Sequence, residues 1–145
     1  MPSVLTASAT VPPMVEYEWR GSFGTEEVET LHAEGFTRSP DGTWDWRQQV
    51  ERHSLGWVCA RDEATRLIGW VNVAWDGGVH AFILDTVVAS AHRRQGIATR
   101  LVELATDGAR AAGCEWLHVD FDDHLRDFYL NGCAFTATGA GLIRL

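Results

Sequence analysis

The chain contains no lysine: all 12 of its basic residues are arginine, in a sequence of 145 residues. That gap excludes a Walker-type phosphate-binding lysine, Schiff-base chemistry, the ion-pair lysine of kinases and a Ser-x-x-Lys nucleophile. Cysteine is scarce. Cys59, Cys114 and Cys133 form no CxxC spacing, which argues against a disulfide scaffold or a cysteine-rich zinc site and for a reducing, cytoplasmic setting. No apolar run approaches the ~20 residues of a membrane span. The opening "MPSVLTASATVPP" lacks a basic n-region and a long apolar h-region, so residues 1–13 read as a loose tail and not as a signal peptide.

Positive charge is also in short supply. Against 12 basic residues stand 20 acidic ones, for a net charge of −8. A nucleic-acid binder draws its affinity from neutralising phosphates, so that partner class is disfavoured. Cationic partners such as amines are compatible with the balance. With 46% hydrophobic residues, the chain can bury one continuous core, and residues 14–145 read as a single domain.

Patterning gives the order of elements. "MVEYEWRG" (14–21) alternates as a strand, and "GTEEVETLHAEGF" (24–36) starts a helix with acid on the positive end of its dipole. After the turn-rich "RSPDGTW", "WDWRQQVERHS" (44–54) reads as a second helix and "LGWVCARD" as a strand. Residues 66–90 hold two strands joined at Asp76-Gly77-Gly78. A helix over Gln95–Ala112 presents Ile97, Leu101, Leu104, Ala105 and Ala112 on one face and stops at Gly113. "CEWLHVDF" (114–121) is a strand, "DDHLRDFYLNG" (122–132) a short helix capped by Asp122, and "AFTATGAGLIRL" a closing hairpin. The strand–helix–strand unit implies a right-handed crossover, hence one parallel pair in a sheet that is otherwise antiparallel in its first half.

The stretch "VVASAHRRQGIATRLVELA" (87–105) carries the chemistry. A β-branched strand ends in Arg93, Arg94, Gln95 and Gly96, then becomes an amphipathic helix. The first helical turn offers free N–H groups and about half a unit of positive charge. Gly96 lets an anion approach the backbone, and Ala98 keeps the next turn low. Two arginines and a preceding extended strand suit a pyrophosphate continuous with a long arm. A capped helix with solvated arginines is the alternative that spacing alone leaves open.

This stretch resembles the acetyl-CoA-binding motif of the GNAT superfamily of N-acetyltransferases, R/Q-x-x-G-x-G/A after a strand, with Arg93, Gly96 and Ala98 in its fixed positions. "DDHLRDFYLNGCAF" resembles the family's second landmark, N-x-x-A-x-x-F-Y followed by G-F. The resemblance spans roughly residues 14–145 and implies an α+β, three-layer αβα fold whose mixed, mostly antiparallel sheet has one central parallel strand pair. The chain departs from the motifs at Ser90 (commonly proline), Asp122, Leu125 and Ala134. It also carries one extra residue between Tyr129 and Phe135.

The resemblance implies that acetyl-CoA is the co-substrate, with no metal. Its pyrophosphate would lie on the backbone of Arg94, Gln95, Gly96, Ile97, Ala98 and Thr99, with charge from Arg93 and Arg94. Its pantetheine arm would run beside the backbone of Val87 and Val88. Tyr129 takes the position of the acid that protonates the leaving thiolate. The acetyl group would pass directly to a primary amine of a small molecule or peptide, and a homodimer is the common arrangement in such families. A non-catalytic acyl-CoA-binding module is the competing class.

Several residues stay open at this level. Asp85, His118, Asp120 or water could accept the amine's proton, and a hydrogen-bonded structural role is the stronger alternative for each residue. His118, Asp120, Asp122 and His124 recur at a period of two, like metal ligands on a strand, but Asp122 suits a helix cap better. Trp44 and Trp46 could border an acceptor pocket or pack locally.

Overall fold

The computed structural model describes residues 14–37, 42 and 44–145. The N-terminal tail and most of the expected turn at 38–44 lie outside the described residues. The elements run β1 (Glu16–Trp19), α1 (Thr25–Gly35), α2 (Trp46–His53), β2 (Ser54–Arg61), β3 (Leu67–Trp75), β4 (His80–Val88), α3 (Ile97–Ala111) and β5 (Trp116–Val119). One sheet of order β1-β2-β3-β4-β5 results, antiparallel except between β4 and β5. None of the described helices is long and apolar enough to cross a membrane.

Strand alternation sorts the core into two layers. Val58, Ala60, Val71, Val73, Ala81 and Ile83 turn to one face, where Ile97, Leu101, Ala105 and Ala109 of α3 cover them. Trp57, Cys59, Trp70 and Val87 turn to the other, against Val28 and Leu31 of α1 and Trp46 and Val50 of α2. The three-layer αβα arrangement follows directly. Ala112, expected on the buried stripe of α3, is exposed; Val102 and Ala109 are buried there instead.

Local chemistry sets the helix starts. Asp45 caps α2 by accepting from the Gln48 N–H at 3.0 Å. At α1, Glu27 accepts from the Gly24 N–H at 2.9 Å and also receives both guanidinium nitrogens of Arg61 on β2, at 2.8 and 2.9 Å. One carboxylate thus closes a helix end and pins it to the sheet.

Two expectations fail near the C-terminus. Residues 134–145 form no strand, so β5 is the edge of the sheet and the parallel pair lies there rather than centrally. Gly139 and Gly141 interrupt the segment, and short glycine-bearing hairpins hold poorly. The helix expected at 122–132 is instead a 3-10 turn at Asp123–Leu125 followed by a wide π-turn at Phe128–Gly132. The extra residue after Tyr129 is absorbed by that wider turn. Trp116 is exposed on edge strand β5.

β1 is fastened to both neighbours through one ring. A Cβ on Gly56 of β2 would fall 2.2 Å from the Trp19 indole, and one on Gly108 of α3 would fall 2.5 Å from it. Gly-to-Ala exchange inside a helix ordinarily stabilises by about 1 kcal/mol. Gly108→Ala should do the reverse, lowering stability by about 1–3 kcal/mol through overpacking, measured as a shift in urea midpoint. The Arg61 hydrogen bonds chiefly hold the Glu27 carboxyl below its usual 4.5. A depressed carboxylate contributes stability above its unfolded pKa and loses it as pH falls through the folded one. Glu27→Gln should therefore cost about 0.2–1 kcal/mol at pH 7, and denaturation curves of the two proteins should converge once pH falls below the depressed Glu27 pKa.

Candidate active site

The site begins where β4 and β5 part. Their pairing runs from His80↔Trp116 to Ile83↔Val119, and β5 then ends while β4 continues to Val88. Residues 84–88 therefore keep β3 on one side and no strand on the other. On the β3 side the register slips between Trp70 and Asn72, and opposite that slip Asp85 takes a left-handed φ of 57°. The bulge bends β4 and leaves an edge of backbone able to accept an extended ligand as a further strand. Val87 and Val88 lie on this edge with side chains buried and half-buried, so only their backbone is available.

The strand leads into an anion-friendly turn. Its start is anchored by Glu34 of α1, whose carboxylate accepts from both the N–H and the hydroxyl of Ser90; these bonds lower the Glu34 pKa. Ser90, the residue that replaces a common proline, thus has its own fastening. Arg94 and Gly96 adopt φ of 61° and 76°, and α3 starts at Ile97 with no acid in its first turn. The first helical bond is Arg100 N–H to Gly96 C=O at 3.1 Å. Among the described residues nothing accepts from the N–H groups of Arg94, Gln95, Gly96, Ile97, Ala98 or Thr99. Arg93, Arg94, Gln95 and Gly96 are exposed, whereas the Ile97 side chain belongs to the core. A Cβ on Gly96 would meet nothing within 4 Å; its glycine is there for the backbone turn. Donors, dipole and two guanidinium-bearing residues converge on one end of the open strand, a fit for a phosphate group.

Tyr129 stands on the other side of the gap. The π-turn places it in an aromatic nest of Phe121, Phe128 and Phe135, with ring centroids at 5.1, 4.8 and 5.9 Å. Burial raises its phenol pKa above 10, while the Thr86 hydroxyl of β4 pulls it back. Thr86 makes no hydrogen bond of normal geometry, yet it lies close enough to bring Tyr129 to the open stretch of β4.

The remaining candidates separate. Asp85 sits in the open stretch and meets His32 of α1, Nε2 to Oδ1 at 3.0 Å. His118 sits in the paired stretch, bound to His80 at 2.7 Å and stacked on Phe82 at 4.7 Å. Asp120 follows the end of β5 and is exposed. No group of three or more His, Cys, Asp or Glu among the described residues could hold a metal ion. Trp46 is buried, donates to Glu29 at 2.7 Å and packs edge-on against Trp70; Trp44 is exposed and donates to Gln49 at 2.7 Å. Burial pushes the Cys59 thiol up to about 12 and also raises Cys114 and Cys133. His32 and Glu34 were not apparent from sequence: their partners lie 53 and 56 residues away, and nothing in α1 marks them locally.

A family model described as "Acetyltransferase (GNAT) family" matches residues 16–135. No curated protein matches the chain by sequence. Among solved structures, an acetyltransferase of Trypanosoma brucei superposes with a TM-score of 0.76 at 16% identity, over 91% of this chain and 99% of that one. Glucosamine-6-phosphate N-acetyltransferase from Arabidopsis thaliana gives 0.70 at 15%, over 90% and 98%. An aminoglycoside N-acetyltransferase in complex with CoA gives 0.72 at 15%, over 94% and 98%. At such identities the superpositions establish the fold.

Replacing Ser90 by Ala should release the turn from Glu34. Amide exchange across residues 90–93 should quicken by about tenfold, with global stability changed by under ~1 kcal/mol, as hydrogen–deuterium exchange would read.

Proposed function

The chain belongs to the GNAT acetyltransferase family, and we propose that it passes the acetyl group of acetyl-CoA directly to a primary amine. The observation that carries this reading is the open stretch of β4 running into the unbonded amides at the start of α3. In it the pyrophosphate lies on the N–H groups of Arg94 through Thr99, with Arg93 and Arg94 adding charge. The pantetheine arm runs along the backbone of Val87 and Val88 as the strand that β5 does not supply. A backbone N–H of β4 polarises the acetyl carbonyl.

The amine nitrogen attacks that carbonyl, a C–N bond forms, and the C–S bond of the tetrahedral intermediate breaks. Tyr129 donates its phenolic proton as charge develops on sulfur. Ordinary phenol and thiol values differ by about 1.5 pH units, so complete transfer is uphill by about 2 kcal/mol before burial adds to it. Sharing the proton in the transition state avoids most of that cost. Direct transfer is supported by the three thiols, all raised in pKa and therefore poor nucleophiles for an acetyl-cysteine intermediate. The acceptor is an amine; small amines and peptide amines both suit the open side of β4.

Calorimetric titration should show acetyl-CoA binding one-to-one in the micromolar range, with acetyl phosphate giving no heat. Tyr129→Phe should lower kcat by about 10²–10⁴ while leaving the acetyl-CoA dissociation constant within about twofold. Binding without turnover on any amine would point to a non-catalytic acyl-CoA-binding sensor or structural module, and absence of binding would remove the reading altogether.

A further inference from the structure

We propose that the His32–Asp85 pair receives the acceptor amine as an ammonium ion and takes its first proton, Asp85 as the catalytic base and His32 as its positioning residue. This rests on the transferase reading above. The problem it solves is fixed by chemistry: an alkyl amine titrates near ~10.4, so freeing it at pH 7 costs on the order of 4–5 kcal/mol. A carboxylate draws the cation to the site and relays its proton to water, which gives the deprotonation a path without changing that cost.

Geometry selects Asp85 from the acids of this region. It lies on the stretch of β4 that β5 leaves open, next to Thr86, whose hydroxyl acts on the Tyr129 phenol. Glu34 is committed to Ser90, and Asp120 lies exposed beyond the end of β5. Asp85 also holds a left-handed φ of 57°. For a residue with a Cβ that conformation costs ~1–2 kcal/mol, and it persists where the surroundings impose it. Here it turns the carboxylate toward α1, where His32 Nε2 meets Oδ1 at 3.0 Å, the side chains being 12% and 22% exposed. The second oxygen, Oδ2, has no hydrogen-bond partner among the described residues. His32 is held in turn by the rings of Phe36 and Trp46, at 4.3 and 4.7 Å. The carboxylate is thus fixed through one oxygen and open at the other.

The protons balance. R–NH3+ gives one proton to the Asp85 carboxylate, and the neutral nitrogen attacks the thioester carbon. The nitrogen of the intermediate loses its second proton as the C–S bond breaks, and sulfur gains one from Tyr129, which that second proton restores through solvent. Asp85 then releases the first proton to water, the net proton of amide formation from an ammonium ion.

The test uses two small probes at saturating acetyl-CoA, methylamine and hydroxylamine, following release of the CoA thiol. Methylamine is protonated at neutral pH and needs a base; hydroxylamine is not protonated there and needs none. Asp85→Asn preserves shape and tolerates left-handed backbone, so it should fold and bind acetyl-CoA as before. It should lower kcat/KM for methylamine by about 10²–10⁴ and for hydroxylamine by less than about tenfold. His32→Leu should lower the methylamine value by about tenfold or more, and His32→Gln, which keeps an N–H donor, should recover most of it. Equal losses for both probes in Asp85→Asn, or no loss for either, would overturn the assignment. Were that variant unfolded, the His32 pair would decide: no methylamine-selective loss in His32→Leu overturns it equally. Wild-type protein that binds acetyl-CoA and acetylates larger amines but neither probe would overturn this assignment of an open ammonium site at Asp85, whereas binding with no turnover on any amine would remove the transferase reading itself.

Discussion

Gly35 ends α1 where any side chain would collide with β4: a Cβ there would stand 2.3 Å from a Val87 methyl. Bare backbone allows the helix to lie flat on the strand, and the same turn then delivers two side chains to the neighbouring positions. His32 reaches Asp85 and Glu34 reaches Ser90. One helical turn therefore fixes the bulge, the open strand and the entry to the turn before α3. The backbone edge that a ligand would read is held from behind by a rigid mount, and both halves of the site share it.

The bulge is the second part of this arrangement. Regular antiparallel pairing would carry β4 straight past Asn72 and keep it beside β5. The register slip and the left-handed Asp85 bend it away, so that its hydrogen-bonding edge opens while the opposite edge stays paired with Gly69 and Trp70. Behind the bend stands an aromatic wall: Trp70 is fully buried, Trp46 packs edge-on against it at 5.7 Å, and His32 leans on Trp46. Stiff rings over a strained residue keep the strain from relaxing.

Much of this was legible from the order of residues because the informative features are local. The strand–turn–helix at 87–105 and the hairpin at Asp76-Gly77-Gly78 each declare themselves within a few residues. The register along β4 does not: a slip opposite Val71 has no signature in either strand alone. His32 and Asp85 meet only after the sheet has formed, and the choice for Trp46 between pocket and local packing is made only once α2 is seen to bury it. Near the C-terminus, "AFTATGAGLIRL" reads as a hairpin, but a short segment carries no information about whether a partner strand is present. One of the departures legible in the sequence, the extra residue after Tyr129, falls at the π-turn.

Trp19 lies against glycines of two different elements, Gly56 on β2 and Gly108 on α3. Such a clasp imposes a direction on sequence drift. A side chain at either glycine crowds the indole, and loss of the indole leaves two stretches of bare backbone facing a gap. A descendant of this chain that exchanges the three residues meets the least strain by losing the ring first and refilling the gap afterwards, passing through a loosened β1 on the way. The reverse order adds a side chain to space that is already full.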